Sequence, residues 1–173
     1  AEVQEYWLSW VQEAIDAGAD GIELRMRNHR SPFGWAEYGF EPPVRDEFIR
    51  RYGVDLWVTD EFDKAAWRRL RGEAYTKFYR KARALTRRHG KALGLHISAS
   101  MNMEPEQGAA MDIHWDWRTW LDEGLADSVT MKEVWPGTRF GQEVLDRARG
   151  IPAVFCPYAN NLWARPQGTQ VVA

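Results

Sequence analysis

Cysteine is nearly missing from these 173 residues. A single one, Cys156, excludes an internal disulfide and a cysteine-only metal cage. No apolar run approaches the roughly 20 residues that span a bilayer, so no membrane partner is expected. Charge of one sign is lacking as well. The formal net charge is −2, which gives no pull toward nucleic acid or an anionic surface. There is no Gly-rich phosphate loop, nucleophile elbow or HExxH, and no cofactor is expected. Nothing reads as a leader peptide, and compartment is left open beyond a soluble composition. What the chain has in excess is tryptophan: 10 Trp beside 7 Phe and 6 Tyr. Indoles fill cores, and they also stack on flat rings and sugar faces.

The stretch Ala19-Asp20-Gly21-Ile22-Glu23-Leu24-Arg25-Met26 organises the reading. It predicts a strand running into a polar loop. Alternation puts Ile22, Leu24 and Met26 on one face and Glu23, Arg25 and Arg27 on the other. A carboxylate and two guanidiniums facing into a sheet fit a barrel interior that opens into a ligand site.

Around that strand the pattern alternates helix and strand. Glu2 to Ala17 is a helix with Val3, Trp7, Trp10, Val11, Ala14 and Ile15 in one apolar stripe, and Gly18 stops it. A long loop from Arg27 to Asp63 holds one short helix, Pro43 to Tyr52. A long helix runs from Asp63 to His89, with Trp67, Leu70, Ala74, Phe78, Ala82 and Leu85 inward. Its many Arg and Lys, Arg71 and Arg83 among them, form the wet face. Strands follow at Ala92 to Ala99, Ser128 to Val134 and Ala153 to Ala159. Helices led by Trp115 and capped by Thr138 separate them. No pattern is readable after Asn160.

Four helix–strand units predict a parallel sheet with right-handed crossovers. The expected fold is a single α/β domain, 1–173, corresponding to about half of a (β/α)8 TIM barrel, with the flanking barrel units outside these residues. The competing fold is a small doubly wound sheet.

Several motifs, taken in order, carry a resemblance. Asp20-Gly21-Ile22 leads into a polar strand end, and Trp67-Arg68-Arg69 opens the long helix. Gly94-Leu95-His96-Ile97-Ser98 forms the next strand. Asp116-Trp117-Arg118-Thr119-Trp120-Leu121-Asp122-Glu123-Gly124-Leu125-Ala126-Asp127 leads into the strand that ends near Lys132 and Trp135. Over residues 5 to 136 the chain resembles the glycosyl hydrolase-like 10 group of bacterial glycosidase-like barrels. The resemblance implies a (β/α)8 fold and a carbohydrate substrate. Members of that group usually place two acids right after the Asp-Gly strand. Here those positions read Arg25-Met26, with the acid at Glu23, and Lys132 stands where Gln is usual.

Barrel enzymes build their sites at the C-terminal ends of strands. Glu23, His96 and Lys132 are therefore the candidate catalytic residues. Arg25, Asn28, His29, Trp35, Glu133, Trp135 and Asn160 are candidates for binding substrate. Glycoside hydrolysis needs two carboxyl groups. Glu23 is the inward acid, or else the partner of Arg25 or Lys132 in an internal ion pair. Alternation turns Glu133 outward, toward solvent or a helix cap, unless the strand has already twisted into a loop there. His96 is a ligand group or a satisfied core imidazole. Trp35, Tyr38 and Phe40 form a sugar-stacking platform or a small satellite core. A metal on Glu23, His29 and His96 is disfavoured by the cationic Arg25 and Lys132, so none is expected. The expected activity is acid/base hydrolysis of an oligosaccharide or polysaccharide. A sugar isomerase or epimerase, or a non-catalytic carbohydrate-binding barrel, is the alternative.

Overall fold

The computed structural model describes residues 2–25, 39–102, 113–156 and 170–172. Helix α1 (Glu2–Asp16) leads into strand β1 (Gly21–Leu24). Helices α2 (Pro42–Tyr52) and α3 (Lys64–Arg88) precede β2 (Ala92–Ser98), which ends in a 3-10 turn over Ala99–Asn102. Helix α4 (Trp117–Asp122) precedes β3 (Ser128–Lys132), and α5 (Arg139–Ala148) precedes β4 (Ala153–Cys156). A last strand, β5 (Gln170–Val172), lies in the tail that showed no pattern in the sequence.

The helix ends follow local chemistry. Asp63 accepts from the Ala66 amide at 3.0 Å and Thr138 from the Gly141 amide at 3.1 Å, which satisfies N–H groups left over at each first turn. Proline opens α2, and Gly53 closes it in the left-handed conformation.

Strands β1 to β4 are all parallel and neighbour one another in chain order; β5 joins the outer edge of β4 antiparallel. A doubly wound sheet reverses its strand order at a switch point. The order β1-β2-β3-β4 has no reversal, so that alternative is set aside. This is the singly wound succession found in (β/α) barrels, with one antiparallel strand at its edge.

Register makes the two faces chemically distinct. Leu24, Leu95, Val129 and Ala153 align across the sheet, and one step on Ile97, Met131 and Phe155 align. These residues pack under Tyr79 of α3, Trp117 and Trp120 of α4, and Val144 of α5. Val11 and Ile15 of α1 close on Ile22, Leu24 and Leu85. All these helices therefore lie on one face. The intervening positions, Glu23, Gly94, His96, Ser98, Thr130 and Lys132, occupy the other.

Two helix-face expectations change, and the choice left open for Phe40 is resolved. The apolar stripe of α1 is wider than the surface it covers. Val11 and Ile15 are buried, whereas Val3, Trp7 and Trp10 are exposed. They line an open groove of about 990 Å³ with Tyr75 and Phe78. On α3, Ala74 is exposed, while Arg71 and Arg83 are buried. Each arginine has compensation: Arg71 stacks over the Trp67 ring at 4.3 Å, and Arg83 forks onto Asp127, with Nη2 to Oδ1 at 2.6 Å. Phe40 is no stacking platform. It packs at 5.2 Å on Trp67 in a satellite core with Phe48 and Phe62, and its carbonyl accepts from Trp57 Nε1. That core pins the chain ahead of α3.

Candidate functional site

The polar face is built from the strand ends. Glu23 on β1 aligns with Gly94 on β2 and Ser128 on β3. Its carboxylate crosses over β2, so that Oε2 accepts from Thr130 Oγ1 on β3 at 3.3 Å. Gly94 permits that crossing. A Cβ there would stand 3.4 Å from Glu23 Cγ and 3.1 Å from Ser128 Oγ. Gly94 leaves open space beside His96 on β2, and its closer service is to Glu23. Among the described residues Glu23 enters no ion pair, so its expected salt bridge to Arg25 or Lys132 is not formed.

Lys132 turns instead to its neighbour. Its Nζ lies 3.8 Å from Glu133 Oε1. This corrects the expectation for Glu133. Strict alternation sends that side chain away from Lys132, but the backbone of Glu133 is left-handed, with φ 59°. Left-handed backbone is uncommon for a residue with a Cβ, and such strain collects at functional positions. The kink ends β3 and swings the carboxylate back, so Oε2 accepts from Ser98 Oγ on β2 at 3.3 Å. Val134 then enters the core. Glu23 and Glu133 thus hang on hydroxyls of two neighbouring strands. The signal that could have revealed this was weak. A Glu-Val-Trp-Pro-Gly segment shows a turn, and not which way its first side chain points.

His96 sits between these groups on β2, which β1 and β3 flank, opposite Thr130 in register. It is 4% exposed, and its Nδ1 has no hydrogen-bond partner among the described residues. Burial pushes its pKa down to about 4, and the positive charges of Arg25 and Lys132 push the same way. The imidazole is therefore neutral at pH 7. Arg25 directly follows β1 at the exposed rim. Trp135 is exposed beyond β3, where its carbonyl accepts from Thr138 Oγ1 at 2.8 Å. Asn28, His29, Trp35, Tyr38 and Asn160 lie outside the described residues.

Chemically, the face offers two carboxyl groups, two cations and a neutral imidazole around the strand ends. Among the described residues no group of three or more His, Cys, Asp or Glu is placed to hold a metal ion. Cys156, at the end of β4, is free and exposed. Among the same residues no helix is long and apolar enough to cross a membrane. No protein-family model matches the chain, and no curated protein matches its sequence.

Proposed function

We propose that this chain belongs to a carbohydrate-active enzyme that hydrolyses glycosidic bonds, with Glu23 and Glu133 as its carboxyl pair. The observation that carries the reading is the left-handed turn at Glu133, which brings a second carboxylate onto the face that already holds Glu23. One carboxyl protonates the leaving oxygen; the other activates water or attacks the anomeric carbon. His96 and Lys132 line the space between them, and Trp135 stands at its edge. The resemblance to the glycosyl hydrolase-like 10 group supports a sugar substrate.

Strand geometry bears on the outcome of the reaction. Ser98 pairs with Lys132, so Thr130 lies one strand across and two residues back. At a strand spacing of about 4.8 Å and a rise of about 3.3 Å per residue, the two anchoring positions are on the order of 8 Å apart. Anchors so spaced suit the wider carboxyl pair, which admits a water and inverts the anomeric centre.

The test is reducing-end release from a panel of oligosaccharides and polysaccharides, with proton NMR of the first anomer formed. Glu23→Gln and Glu133→Gln should each lower turnover about 10³-fold, roughly 4 kcal/mol in the barrier, while sugar binding persists. Sugar binding with no turnover by the unmodified protein would favour a non-catalytic carbohydrate-binding barrel. Turnover abolished by a chelator would favour a metal-dependent sugar isomerase.

A further inference from the structure

We infer that Arg25 and His96 form an anion subsite on the polar face, which takes the acid group of an acidic sugar. The anion site stands on its own geometry; that a sugar carries the anion rests on the reading above.

A buried imidazole with an open nitrogen is costly to keep. The desolvation of an unsatisfied polar atom costs on the order of 1–3 kcal/mol, and most such atoms in folded proteins have partners. His96 Nδ1 is one of the few buried side-chain atoms lacking a partner among the described residues. It stands on β2, between β1 and β3, flanked along that strand by the small residues Gly94 and Ser98. No bulky neighbour on β2 itself closes the space beside the ring.

The charges facing His96 differ in how they are matched. On β3, Lys132 lies against Glu133 at the strand end. On β1, the Glu23 carboxylate accepts from Thr130. Arg25 is different. Leu24 pairs with Leu95, so the next residues along, Arg25 and His96, are neighbours across β1 and β2. Arg25 is exposed and enters no ion pair among the described residues. A guanidinium with no carboxylate, beside an imidazole with no acceptor, among the described residues, matches the two oxygens of one acid group. With its proton on Nδ1, neutral His96 donates to one oxygen while Arg25 donates to the other. An anion seated there also offsets the positive field that adds to burial in keeping the imidazole unprotonated.

The experiment titrates glucose, glucuronate and glucose 6-phosphate into the full chain at pH 7 by calorimetry, for the unmodified protein and for Arg25→Gln. Acetate and inorganic phosphate serve as bare anions, and NMR follows the His96 ring. One of the acidic sugars should bind at least tenfold more tightly than glucose, and the stronger of the two shows whether carboxylate or phosphate is preferred. Arg25→Gln, a change at an exposed position, should reduce the advantage below twofold and leave glucose binding alone. The His96 pKa should rise by a unit or more on binding. Equal affinity for glucose and both acidic sugars, no binding by any anion, or an advantage that survives in Arg25→Gln overturns the subsite. If bare acetate or phosphate raises the His96 pKa as far as the sugars do and binds as tightly, the anion site stands and its sugar context falls. If neutral glycans are hydrolysed with no preference for acidic ones, the glycosidase reading stands and the subsite falls.

Discussion

The two faces of this sheet are made by the same strands and obey opposite rules. On the helix-covered face, Leu95, Ile97, Val129 and Met131 are fully buried, and the helices above supply Trp117 and Trp120. Its polar atoms are partly tied: Trp120 Nε1 donates to Thr76 Oγ1 at 2.8 Å, and Asp127 takes both the Arg83 fork and the Leu93 amide, while Tyr79 Oη, Trp117 Nε1 and Arg83 Nε have no partner among the described residues. On the other face, one residue along each strand, stand a neutral buried histidine, an arginine without an ion pair among the described residues, and a glutamate in left-handed backbone. The left-handed glutamate and the buried imidazole each cost free energy, and on this face they stand together at the strand ends beside a cation. The difference separates stability from chemistry within one layer of backbone.

Perturbing the helix-covered face should therefore cost stability and leave the polar groups in place. Trp120→Ala removes a fully buried indole and orphans the Thr76 hydroxyl, so unfolding should become easier by about 4 kcal/mol. Urea denaturation measures it. A loss below about 1 kcal/mol would mean that this face is not the core, and the comparison would break.

The polar face should reveal itself through pH. The folded pKa of His96 is about 4, against an ordinary 6.5. Between those values the unfolded chain binds more protons than the folded one, so stability rises with pH across this window. As pH falls from 6.5 toward 4, stability should drop, by a total on the order of 3 kcal/mol, and this contribution levels off below 4. His96→Gln should flatten that part of the profile. The same slope in both proteins would show that the histidine is not held neutral by its surroundings.

Much of the fold was legible because periodicity and punctuation are local. Period-2 alternation in Gly94-Leu95-His96-Ile97-Ser98 assigned both faces of β2 correctly, and Thr138 capped α5 as expected. The short β5 was not legible, since three residues pairing with the outer edge of β4 leave no periodic trace. The buried arginines of α3 were missed for a related reason. Their partners, Trp67 and Asp127, are respectively close and distant in sequence, and composition alone reads any arginine as wet. The segment Trp120 to Asp127 serves as scaffold. Trp120 bonds Thr76, Asp122 pairs with Arg147, Glu123 with Arg80, and Asp127 with Arg83, so the segment fastens α4 to its neighbours. Strand alternation put Glu23, His96 and Lys132 on one face, where the structure has them. Glu133 was a candidate for binding substrate, but its direction was not legible, because a single positive φ overrides alternation.

Gly94 gives the finest test, since it carries both rules at one position. In a strand, glycine usually weakens the structure relative to alanine, by roughly 0.5–1 kcal/mol. An added Cβ at Gly94 meets only side-chain atoms, Ser128 Oγ at 3.1 Å and Glu23 Cγ at 3.4 Å. Gly72 on the helix side is the contrast: its Cβ would lie 2.0 Å from the backbone carbonyl of His114, which has nowhere to go. Gly94→Ala should therefore leave stability within about 1 kcal/mol, because the strand preference offsets small side-chain shifts. Glu23 must yield, however, and its reach across β2 to Thr130 is lost. Turnover should fall about tenfold, equivalent to about 1.4 kcal/mol, with the melting temperature nearly unchanged. Gly72→Ala should do the reverse, lowering the melting temperature strongly while the folded fraction keeps its activity. If both alanines act through stability alone, Glu23 does not need its path over Gly94, and the two faces are less distinct than their chemistry implies.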